Sequence, residues 1–194
     1  MKKTHTDLIH TIEMEMVRAG FLHQSLQPLR DHKAEYEEGT EKGGEWFNNS
    51  DNYKFATNAV IEAKLEVCCG VLKASDATDK EKELAASILF NKTDSAALAK
   101  GIATILPNPP LLTKYQPKLA EIAEAGTLDT LDLEGKQISG DLPESVMKLM
   151  ASARYFNLTG NRFGNVTEKT ALHDMVYGMT NWRDRKEIVW SGSS

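Results

Sequence analysis

Few residues of this chain are of types and spacings that carry chemistry. Two cysteines stand side by side, Cys68 and Cys69. Bridged cysteines must have facing Cβ atoms, which neighbours rarely achieve, so nothing calls for an oxidising compartment and a cytoplasmic setting is the default. Cys69 could act as a nucleophile only with a base beside it, and the sequence shows none. The five histidines are His5, His10, His23, His32 and His173. His10 and Glu13 can share a helix face, but a metal site needs three or four ligands. Asp129 and Asp132 fall on a predicted strand, where a spacing of three puts them on opposite faces and makes a poor acid–base couple. Asn157-Leu158-Thr159 is a glycosylation acceptor, idle in a cytoplasmic protein. Phosphate loops, the dinucleotide glycine fingerprint, the serine nucleophile elbow and the zinc-protease helix are all absent. The expectation is a chain without metal, cofactor or catalysis. An enzyme of unrecognised class would rest on Cys69.

The elements that would position these residues are mostly helical. Leu8 or Ile9, Ile12, Met16 and Ala19 recur at helical spacing and predict a first helix over about 6–26, ended by Pro28. Residues 31–52 read as an exposed acidic connection with Glu35, Glu37, Glu38, Glu41 and Glu45, loosened by Gly39, Gly43 and Gly44. Its Trp46-Phe47 pair either tucks into the core or presents a contact. A second helix follows Ser50 or Asp51, either of which can cap it. Its polar stripe is Lys54, Asn58, Glu62, Glu66 and Lys73, and the rest is apolar or small. Cys68 shares a face with Ile61, Leu65 and Leu72 and reads as inert core, whereas Cys69 lies nearer the polar stripe. Thr78-Asp79-Lys80-Glu81 is a capping box that starts a third helix, with Asn91 as its stop. Thr93, Asp94 or Ser95 opens a fourth, with Leu98, Ile102 and Ile105 inward. Pro107-Asn108-Pro109-Pro110 is a stiff connector. A fifth helix runs from about Tyr115 to Ala125, and Gly126 suits the left-handed stop.

After Gly126 the pattern changes. Leu128, Leu131 and Leu133 predict a strand, and a short helix follows Asp141-Leu142-Pro143-Glu144 through Met150. Phe156 and Leu158 predict a second strand, residues 167–179 a helix, and Ile188-Val189-Trp190 a third strand. That alternation favours parallel pairing. Residues 128–164 also repeat: Leu131 matches Phe156, Leu133 matches Leu158, Lys136 matches Asn161 and Ile138 matches Phe163, each at an offset of 25. The stretches Leu131-Asp132-Leu133, Ile138-Ser139-Gly140-Asp141-Leu142-Pro143 and Asn157-Leu158-Thr159-Gly160-Asn161-Arg162-Phe163 resemble a leucine-rich repeat of the plant type. The resemblance covers about 37 residues. It implies that the leucines fill a coil interior and that Asn161 bonds the backbone of a neighbouring coil. The Gly-x-Leu-Pro turn would start the convex side. Lys136 departs from the asparagine position. Such coils normally stack at least three deep; here helices flank two, and the next candidate strand comes about 30 residues later, too far for a further copy. A plain βαβ unit predicts the same parallel strands.

The fold class expected is α+β and mainly α. Residues 1–126 form a helical bundle, residues 127–190 a repeat-like β-α-β-α segment, and residues 191–194 a tail that reads like a linker. The resemblance further implies that the variable strand positions Thr130, Asp132, Glu134, Tyr155, Asn157 and Thr159 line a concave face that binds another protein. The formal charge of −5 argues against nucleic acid, since the only basic cluster is Arg183, Arg185 and Lys186. No stretch approaches eighteen uninterrupted apolar residues, so no membrane span is expected. Glu13 and Glu15 break any apolar core of a signal peptide after Met1-Lys2-Lys3. A second functional reading is a small acidic regulatory or inhibitory protein that blocks a partner through residues 35–47.

Overall fold

The structure is a computed structural model and describes residues 5–42, 50–166 and 187–189. Trp46, Phe47, the helix read at 167–179, the basic cluster at 183–186, Trp190 and the tail lie outside the described residues. The chain is α+β and mainly helical, with a few short parallel strands in two small sheets. It divides into two compact units, Met1–Ile88 and Leu89–Ser194.

Among the described residues the first unit contains four α-helices. Helix α1 spans His5–Ala19. It stops seven residues before the expected end, because Gly20 takes a left-handed φ of +103° that a helix cannot continue. A 3-10 turn follows at His23–Leu26. Helix α2 covers Gln27–Lys42, where the sequence reads an exposed connection. Pro28 is compatible with either outcome: in a first turn its missing amide proton has no partner to lose and its φ suits the helix, and packing on α1 and on the next helix makes the segment helical. Helix α3 spans Ser50–Lys73 and packs against α1, α2 and the 3-10 turn. Val60, Ala63, Val67, Cys68, Val71 and Leu72 are buried from it, along with Ile9, Met16, Leu26 and Leu29 from α1, the 3-10 turn and α2. Ile61, expected in the core beside Cys68, is instead 45% exposed. Helix α4 spans Asp79–Leu89.

The α4 start is the capping box read from the sequence. The Glu81 amide donates to Thr78 Oγ1 at 3.2 Å, and the Thr78 amide donates to Glu81 Oε1 at 3.1 Å. The second carboxylate oxygen accepts the Leu22 amide at 2.8 Å. Glu81 thereby ties the chain after α1 to the start of α4, and is buried.

In the second unit, Asp94 caps helix α5, Ser95–Ile105, by accepting from the Ala97 amide at 3.1 Å. Helix α6 spans Pro109–Ala125. It begins six residues before the expected Tyr115, because Asn108 caps it and Pro109-Pro110 occupy its first turn. Gly126 closes it at φ +63°. Gly101 lets α5 pack closely on Phe90, since a Cβ there would lie 2.8 Å from that ring.

Strand β1, Thr130–Asp132, pairs in parallel with β3, Tyr155–Asn157, and Leu131 stands opposite Phe156. This is the pairing that the 25-residue offset predicts. Helix α7, Glu144–Ser152, connects the two coils and packs on α6, while α5 packs on β1. Leu131, Leu133, Val146, Leu149, Phe156 and Leu158 are all fully buried between these layers; each such side chain contributes about 2 kcal/mol of transfer free energy.

The offset does not persist through the second strand pair. β2, Ser139–Gly140, pairs with β4, Arg162–Phe163, so Gly140 rather than Ile138 opposes Phe163. The first coil carries two more residues than the second, and Lys136-Gln137 accommodates them. Up to Gly135 the ladder keeps the 25-residue offset, since Leu133 donates to the Asn157 carbonyl and Gly135 to that of Thr159, each at 2.8 Å. Gln137 then takes a left-handed φ of +56°, and the ladder resumes with the Arg162 amide on the Ile138 carbonyl. Equal spacing of apolar residues conceals such an insertion, because Ile138 and Phe163 are both buried although they do not stand opposite each other. Strand β5, Glu187–Val189, lies parallel on the far side of β3 with Ile188 opposite Phe156. The third strand judged too distant for another copy therefore joins the same sheet.

Candidate functional site

The candidate face is the outer surface of the β1–β3 pair. Alternation along each strand sends Leu131 and Phe156 inward and leaves Thr130, Asp132, Tyr155 and Asn157 on the other side. The register sets Thr130 beside Tyr155 and Asp132 beside Asn157. Glu134 and Thr159 continue the two columns past the strand ends. Asp132 and Glu134 are exposed, and Thr130, Tyr155 and Thr159 are half-buried. The structure thus brings five of the six expected contact residues to one accessible surface.

Asn157 is the exception, at 5% exposed. Its Oδ1 accepts the Thr159 amide at 3.0 Å, and its Nδ2 donates to Glu134 Oε2 at 3.2 Å. The burial and these bonds make it a support that aims Glu134, and leave little of the acceptor amide accessible for glycosylation. Asp132 makes the matching turn in the first coil, accepting the Glu134 amide at 3.0 Å. Two carboxylates are therefore held side by side by local bonds. At the start of the strands Arg154 lies 4.0 Å from Asp129, both exposed, and β5 brings Glu187 to the register position beside Tyr155. The surface is acidic and hydroxylic, with one aromatic residue.

Asn161 supports this face from below. It is 2% exposed, accepts the Ile138 amide at 2.9 Å, and donates to the carbonyls of Leu133 at 2.7 Å and Leu158 at 3.0 Å. It satisfies the backbone groups at the place where the Lys136-Gln137 insertion interrupts the ladder. Asn165 repeats the device at Leu142, accepting its amide at 2.7 Å and donating to its carbonyl at 3.0 Å. The sequence reading passed over Asn165; its signal is the asparagine four residues after Asn161, just beyond the Phe163-Gly164 turn. Gly160 stacks on Gly135 in the coil above, and a Cβ at Gly160 would lie 3.1 Å from that backbone.

Elsewhere, burial and the neighbouring Cys69 push the Cys68 thiol up to about 12, which keeps it protonated and unreactive at neutral pH. Cys68 and Cys69 are both free of disulfides. Among the described residues no group of three or more His, Cys, Asp or Glu side chains could hold a metal ion. No described helix is long and apolar enough to cross a membrane. No protein-family model, curated protein or solved structure matches the chain.

Proposed function

We propose that the chain is a non-catalytic protein-binding module of the cytoplasm, and that its contact surface is the outer face of a leucine-rich-repeat-like coil pair. The observation that carries this reading is the parallel register of Leu131 on Phe156, with Asp132 and Glu134 exposed above it, Asp132 braced by its bond from the Glu134 amide and Glu134 by the Asn157 side chain. A surface that is rigid before contact spends little ordering entropy on binding. Its acidity suits a partner with a basic or polar patch, and the net charge of −5 repels nucleic acid and anionic membrane alike. Thr130, Asp132, Glu134, Tyr155 and Thr159 make the contacts, and Asn157 orients Glu134.

The test uses the immobilised full-length chain and an extract of its source cells. A partner retained by the native chain should be lost by the double variant Asp132→Lys, Tyr155→Ala at a temperature well below the melting temperature of either protein. Equal retention by the variant would remove this face from consideration.

A further inference from the structure

The first unit contains a cleft of about 290 Å³ at the C-terminal end of α3, which the 3-10 turn also lines. Leu22, Val67 and Val71 give it an apolar lining, and Leu22 is 40% exposed. Glu66 and Asp76 also line it, and its lining residues include no Lys, Arg or His. The C-terminal end of a helix is its negative pole and adds to the sign of the two carboxylates; the exposed Lys73 of the same last turn stands outside the lining.

Gly70 supplies an independent observation. It lines the cleft from within α3, at an ordinary helical position, and a Cβ built there would meet nothing within 4 Å. Glycine inside a helix costs stability relative to alanine. Close packing, the usual reason for tolerating that cost, does not apply here as it does at Gly101. What a side chain at position 70 would occupy is the cleft itself. We propose that this cleft is a binding site for a small aliphatic ammonium compound, its hydrocarbon stem against Leu22, Val67 and Val71 and its cationic head toward Glu66 and Asp76. The volume lies near the lower end of small-molecule sites.

Amide chemical shifts of the full-length protein test the proposal, with pentylammonium chloride as probe and 1-pentanol and pentanoate as controls of the same length. Pentylammonium should give saturable shifts at Leu22, Gly70, Ala74 and Ala77; 1-pentanol should bind several-fold more weakly and pentanoate not at all. Gly70→Leu should abolish the response without lowering the melting temperature. Should that variant fail to fold, the double variant Glu66→Gln, Asp76→Asn alters only exposed side chains and should reduce pentylammonium to the affinity of 1-pentanol. The proposal is overturned by the absence of saturation up to about 50 mM probe, by equal affinity for the alcohol, or by undiminished binding to Gly70→Leu.

Discussion

At Asn161 one amide side chain bonds backbone groups of both coils beside the Lys136-Gln137 insertion. Its bonds reach Ile138, Leu133 and Leu158, with a longer one to the Thr159 carbonyl at 3.5 Å, and its burial means that water cannot stand in when it is deleted. Buried backbone groups left without partners cost roughly 1–3 kcal/mol each. Asn161→Ala should therefore lower the unfolding free energy by about 3 kcal/mol, read as a lower urea midpoint at unchanged slope. Asn165→Ala removes two bonds of the same kind from an exposed residue, where water can replace them, and should cost about 1 kcal/mol or less. Equal losses at the two positions would mean that the inner asparagine has no special place in the coil. The resemblance to a leucine-rich repeat puts Asn161 at an asparagine position, since its type and its spacing from Leu158 are visible in the sequence. It could not show that the residue across from it is Ile138 rather than Lys136, because that depends on how many residues the preceding turn absorbs.

At the scale of elements, capping explains both what was readable and what was not. Thr78 with Glu81, Asp94 and Gly126 are local signals, complete within four residues, and each ends or starts a helix where the sequence puts it. Pro28 and Pro109 are ambiguous signals, since proline stops one helix and suits the first turn of another. Only packing against α1 and α3 decides that Gln27–Lys42 is a helix rather than a connection. The Glu81 carboxylate goes beyond the local box by taking the Leu22 amide, 59 residues away. Burial alone would raise its pKa, but the bonds from the Thr78 and Leu22 amides and the Thr78 hydroxyl outweigh that and hold it below the ordinary 4.5. A carboxyl whose pKa is lowered on folding stabilises the fold fully above its unfolded value, and the contribution disappears as pH falls through the folded value. Glu81→Gln should thus cost about 1–2 kcal/mol at pH 7. The gap between native and variant melting temperatures should narrow steadily below 4.5, the ordinary value. A gap that stays constant down to about pH 3 would assign the loss to shape rather than charge.

For the whole molecule, charge is the property that the proposed contact face shares with the rest of the chain. Twenty-eight acidic residues stand against 23 basic ones, and the exposed Asp132 and Glu134 belong to the majority sign. A distributed field of this kind mainly accelerates encounter with a basic partner and affects dissociation less. Salt screens exposed charges beyond about 8 Å at physiological ionic strength, so the association rate with the captured partner should fall by roughly tenfold between about 50 and 500 mM salt. The double variant Asp132→Asn, Glu134→Gln keeps side-chain size and should flatten that dependence, which stopped-flow or surface-based kinetics can resolve into on and off rates. Asn157 loses its carboxylate acceptor in this variant, so a small rise in the off rate is expected as Glu134's replacement is held less firmly. If the association rate of the native chain is indifferent to salt, or if the variant keeps the full slope, the partner is attracted by some surface other than the β1–β3 face.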